Sequence, residues 1–127
     1  MRTTASYDLF PDARSERALA RARWLAREGR MRDAQSAYDE LLATKPELKA
    51  CWAEYFELLR TTGLKDEALQ LADRARGTFG ETGFSFTLRG AALTELGRYT
   101  EALAELERAV EADPDLATRD EDYAAGK

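Results

Sequence analysis

The stretch Gly83–Pro114, GFSFTLRGAALTELGRYTEALAELERAVEADP, decides how this chain folds. Its second half sets Ala102, Leu103, Leu106, Ala109 and Val110 at steps of one, three and four, which is one stripe of an α-helix. Gly97 lies just before that stripe, where a glycine ends one helix and lets the chain reverse. Glu101 opens the second helix with an acid at the positive end of its dipole. Pro114 closes it, because the residue before a proline disfavours α geometry. The segment therefore reads as helix, tight turn, helix. Asp113-Pro114 also has the form of an N-cap followed by proline at the first helical position, so a further helix is expected to start there.

Moving outward, the same landmarks recur every 34 residues. Gly29, Gly63 and Gly97 form one series, Ala34, Ala68 and Ala102 a second, and Leu25, Leu59 and Leu93 a third. Pro46, Gly80 and Pro114 form a fourth in the same register. The units are 15–48, 49–82 and 83–116, preceded by a leader over 1–14 and followed by a capping helix or tail over 117–127. In the middle unit Trp52, Tyr55, Phe56 and Leu59 make the apolar face of the first helix. Acids open the second helices at Asp33 and at Asp66-Glu67 as well. The periodic alanines are small so that two antiparallel helices can approach closely, opposite Ala22, Phe56 and Gly90. One hairpin cannot bury its own stripe, so neighbours must stack.

Alanine, leucine, glutamate and arginine dominate the composition, and all four favour helix. The net charge of −5 argues against a general attraction to nucleic acid. That charge is unevenly spread. Residues 1–33 hold eight arginines and five acids, whereas 101–127 hold nine acids and three bases. Such a dipole can steer a partner or align copies head to tail. No apolar run approaches the ~20 residues of a membrane span, and the opening MRTTASYDLF has no secretory hydrophobic region. A single cysteine, Cys51, cannot make an internal disulfide, and a reducing cytoplasm is expected.

This pattern resembles the tetratricopeptide repeat family over 15–116. The third unit carries Phe86, Gly90, Leu93, Gly97, Tyr99, Ala102, Ala109 and Pro114 at signature places. The middle unit carries Trp52, Leu59, Gly63, Ala68 and Ala75, and the first Ala18, Ala22, Leu25, Gly29, Ala34, Tyr38 and Pro46. Three departures stand out. Phe56 replaces a small residue, Arg21 and Arg89 stand where leucine is common, and Gly80 replaces the proline between the second and third units. The segment Gly77–Gly83 has three glycines, so it reads as a loose joint, either a hinge or simply a longer turn. The resemblance implies an all-α solenoid, a right-handed superhelix of three hairpins plus a short C-terminal helix. Its implied role is protein–protein interaction, as an adaptor, scaffold or co-chaperone-like module. A self-associating scaffold is the alternative, and a small enzyme with an unrecognised site a remote one.

In this family ligands usually lie in the concave groove lined by the first helix of each unit. By register the expected peptide-binding residues are Glu16, Leu19, Arg23 and Arg27, then Glu54, Glu57 and Arg60, then Phe84 and Leu88. The surface would run from basic through acidic to apolar, with Phe84 and Leu88 as an exposed apolar spot. Some members bind a chaperone's C-terminal carboxylate through Lys, Asn and Arg side chains. Here only Arg23 is cationic at the matching places, so that function is not carried over. Catalysis is not expected. The chain has no histidine, so the commonest general base and nitrogen ligand are missing. Cys51 reads as a packing thiol, and Asp73, Glu101 and Glu105 as solvated carboxylates. No phosphate loop, dinucleotide fingerprint or metal-ligand spacing is present, so no cofactor and no metal are expected. The expected partner is another protein or peptide, with weak homo-oligomerisation as an option and neither nucleic acid nor membrane involved.

Overall fold

The computed structural model describes residues 12–114. Most of the expected leader and all of the expected helix over 117–127 lie outside the described residues; Pro114, the last described residue, is helical. Among the described residues there are six helices and no strand: α1 (Ala13–Arg27), α2 (Met31–Thr44), α3 (Lys49–Thr61), α4 (Lys65–Phe79), α5 (Gly83–Glu95) and α6 (Tyr99–Ala112). This is an all-α repeat architecture. The chain divides into two compact units between Cys51 and Trp52, inside α3.

One turn is built three times. Gly29, Gly63 and Gly97 have φ of 79°, 81° and 77°, the left-handed region that side chains with a Cβ avoid. Each glycine N–H returns to a carbonyl three residues back: Gly29 to Ala26 at 3.1 Å, Gly63 to Arg60 at 3.3 Å, Gly97 to Thr94 at 3.0 Å. The next N–H reaches five back: Arg30 to Leu25 at 3.0 Å, Leu64 to Leu59 and Arg98 to Leu93 at 2.9 Å. This pair of bonds satisfies carbonyls that a helix end would leave orphaned. The periodic leucines are the acceptors of the longer bond, and all three are at most 1% exposed. The residue after each glycine also caps the following helix, because the Arg30, Leu64 and Arg98 carbonyls accept from the Ala34, Ala68 and Ala102 N–H groups at 2.9–3.0 Å. Arg30 and Arg98 then pair with Asp33 and Glu101, the acids in the first turn of α2 and α6.

In the first unit Asp12 caps α1 by accepting from the Ser15 N–H at 2.8 Å. Its carboxylate also lies 3.6 Å from Lys45, the residue that ends α2, so the two ends of the hairpin are tied. The Ser15 hydrogen bonds, helped by Lys45, hold the Asp12 pKa below its ordinary value. The core is Ala22, Leu25, Ala34, Ala37, Tyr38, Leu41 and Leu42, with Ala22 and Ala34 fully buried.

In the second unit α5 packs against both α4 and α6. A Cβ built on Gly90 would come within 2.6 Å of Leu106 Cδ2 and 2.7 Å of its Cγ, so α5 and α6 approach closely at this glycine. The joint before α5 departs from the period. Lys45 and Asp113 precede prolines and leave the helix there, but Phe79 precedes Gly80 and stays helical, so α4 runs one residue further. Gly80 takes φ 77° and ψ −166°, a combination essentially reserved for glycine. The segment is closely bonded. Thr82 and Ser85 cap α5 reciprocally, Ser85 Oγ donates to the Gly80 carbonyl at 2.6 Å, and Arg76 pairs with Glu81 at 2.7 Å. These bonds favour the longer-turn reading over the hinge. Phe79 meets Trp52 at 5.7 Å and Phe84 at 5.3 Å, both edge-on.

Two helical glycines of this unit, Gly77 and Gly90, are expected to respond oppositely to alanine. Gly90→Ala forces Leu106 to move and should lower stability by about 1–3 kcal/mol. Gly77→Ala meets nothing within 4 Å and should raise stability by roughly 0.5–1 kcal/mol through helix propensity. Thermal melts of the two variants check the sign of each.

Candidate functional site

The side chains expected to bind a ligand lie on the first helix of each hairpin. In the first unit Glu16, Leu19, Arg23 and Arg27 share one face of α1, at steps of three and four. Glu16, Arg23 and Arg27 are exposed and Leu19 is half-buried.

In the second unit Glu57 is exposed, and Glu54 and Arg60 are half-buried on α3. The Arg60 guanidinium forks onto both Glu57 oxygens and reaches Glu95 of α5 at 2.8 Å. The hydrogen bonds that Arg60 donates to Glu57 and then to Glu95 raise its pKa above the ordinary value, while Arg60 holds the Glu57 pKa down. All three side chains keep a third or so of their surface or more, so solvent screens the cluster and its value lies in placing charge rather than in stability. Glu95 is missing from the expected residues, although it stands two periods after Arg27 and the repeat itself could have nominated it. Thr87 and Thr94 are exposed along α5, with Ala91 between them half-buried.

The expected apolar spot is corrected. Leu88 is buried, at 7% exposure, and Phe84 is half-buried with its ring edge-on to Phe79. Both gain by leaving water, and the additional helical residue of α4 carries the ring that meets Phe84. What remains exposed of this face is polar and acidic. A second correction concerns Glu105, which is buried at 6% rather than solvated. Arg89, at one of the places where leucine is common, donates to Glu105 at 2.7 Å and to the exposed Asp73 at 2.9 Å. Partial burial opposes the Arg89 charge, yet the two carboxylates hold its pKa above its ordinary value. Glu105 Oε2 is buried with no hydrogen-bond partner. Arg89 thus ties α5 to α4 on one side and to α6 on the other.

Cys51 is buried and is not in a disulfide. Among the described residues no group of three or more His, Cys, Asp or Glu side chains is placed to hold a metal ion, and no helix is long and apolar enough to cross a membrane.

Residues 84–116 match the family model of the tetratricopeptide repeat. This match and the six helices fit a helical repeat protein of the tetratricopeptide type. Repeats of this kind are general protein–protein interaction modules, so a protein partner follows from the class. No curated protein matches the chain at a significant level.

Removing Arg89 leaves the Glu105 carboxylate buried and unpaired. Arg89→Ala should cost roughly 3–5 kcal/mol, toward the lower end because the guanidinium is partly exposed. Arg89→Leu combined with Glu105→Leu should recover most of that loss. Urea unfolding of the single and double variants checks both outcomes.

Proposed function

We propose that this protein is a non-catalytic adaptor or scaffold, co-chaperone-like in manner, that binds a peptide segment of its partner on the first-helix faces of its repeats. The observation that carries this reading is the polar face of the second unit, where Arg60 joins α3 to α5 through Glu57 and Glu95. The salt bridge places charge at the ends of the two helices, and Glu54, Thr87, Ala91 and Thr94 line the rest of the face. Small and hydroxyl side chains let a peptide backbone approach, and the two carboxylates around one guanidinium, with Glu54 on the same helix, favour a ligand with cationic or N–H donor groups. Glu16, Leu19, Arg23 and Arg27 of the first unit are the additional contact surface. A reducing cytoplasm is the proposed compartment, consistent with a single buried thiol.

Selection from a random peptide library tests the face. Binders should be enriched in Lys or Arg. Glu54→Ala combined with Glu57→Ala should weaken them about tenfold or more, while Lys65→Ala combined with Gln70→Ala, on exposed positions of α4, should leave affinity unchanged. Binders that ignore the α3 pair and respond to the α4 pair sink this assignment.

A further inference from the structure

A second interaction surface follows from two exposed helix faces and an ion pair inside the molecule. It goes beyond the peptide-binding face.

The first face is on α1. Arg14, Arg17 and Arg21 follow one another at steps of three and four, line an open groove beside α2 with Ala18 and Leu41, and lead to Trp24, which is 52% exposed. Among the described residues none of these three arginines has an ion-pair partner. The second face is on α6. Tyr99 and Leu103 are 64% and 62% exposed, and Glu107 and Glu111 continue the same ladder, exposed and likewise unpaired among the described residues. Two like charges four apart on a helix repel. Both faces also set charge against their own helix dipole. Arg14 stands at the positive end of α1, and Glu111 stands in the last turn of α6, which holds no basic residue.

The faces run in opposite orders. Along α1 the charges come first and the exposed ring last; along α6 the apolar pair comes first and the acids last. Antiparallel docking therefore matches arginine with glutamate and Trp24 with Leu103. It also brings Glu111 near the N-terminus of α1 and Arg14 near the C-terminus of α6, which relieves both dipole conflicts.

The molecule already contains such a contact. The α4 and α5 helices lie antiparallel, with Phe79 against Phe84, Arg76 against Phe86 and Asp73 against Arg89. Shifting α4 by one period gives α6, and shifting α5 back by two periods gives α1. Asp73 becomes Glu107 and Arg89 becomes Arg21. The 2.9 Å pair is thereby translated into Arg21–Glu107. Arg76 and Phe86 become the apolar pair Val110 and Ala18. Phe79 and Phe84 become Asp113 and Glu16, a like-charge pair that the arginine–glutamate contacts must outweigh.

We infer that α6 of one copy docks on α1 of a second copy, with Arg21–Glu107 as the central ion pair, so that copies associate head to tail. The contact joins two different faces, so each copy keeps one of each available.

Sedimentation of the full chain over a concentration series tests this. The average mass should rise with concentration, and less so at high salt. Arg21→Glu and Glu107→Arg should each weaken association about tenfold or more. Mixing the two variants restores opposite charges at every junction, so the mixture should associate again. Circular dichroism of each variant should match the unaltered chain. A full chain that stays monomeric throughout overturns the proposal. So does a mixture that fails to associate, or a loss caused by Glu107→Arg but not by Arg21→Glu, which marks a pairing of two α6 faces.

Discussion

The left-handed glycine is the constraint on which the other features depend. A helix reverses direction in three residues here only because Gly29, Gly63 and Gly97 accept a positive φ. Their neighbours then return N–H groups to the last carbonyls of the finished helix and offer a carbonyl to the first N–H of the next. The donor that reaches five residues back finds Leu25, Leu59 or Leu93, so the same residue anchors the turn through its backbone and the core through its side chain. With the turn set, the first buried position of the second helix is Ala34, Ala68 or Ala102, whose N–H makes the opening hydrogen bond of that helix.

Two arginines show how similar chemistry serves different ends in this frame. Arg60 and Arg89 each hold two carboxylates from different places in the chain. Around Arg60 the groups remain wet, and their charges are available to a ligand. Around Arg89 one partner is buried, and one of its oxygens is without a hydrogen bond. Such an interaction contributes to which helices meet more than to how strongly they hold, since a well-packed apolar pair would be at least as stable.

The hairpins were legible because glycine, alanine and proline report backbone requirements directly. A positive φ, a close crossing and a broken helix each admit few residue types, so their spacing carries the fold. Burial of long side chains is a tertiary matter and was read less well. Glu105 looked solvated because acids usually are. It is inside because Arg89, sixteen residues earlier and one helix away, neutralises it, and no local pattern conveys that pairing. Register alone places Leu88 on an exposed face, yet it is buried. Glu95 was the reverse case. The period pointed to it through Arg27, but a change of sign between equivalent positions hid the correspondence.

Gly80 has a consequence for treating the units as interchangeable parts. Repeats are commonly improved by giving each one the residue that its siblings share. At this position the siblings carry Pro46 and Pro114. Proline holds φ near −65°, whereas Gly80 stands at 77° and donates its N–H to Arg76 at 2.8 Å. The sibling residue would remove that donor, push Phe79 out of α4 and draw its ring away from Trp52 and Phe84. Uniformity at residue 80 would therefore unmake the joint, and a chimera that imports another unit here must bring the glycine and the longer helix together.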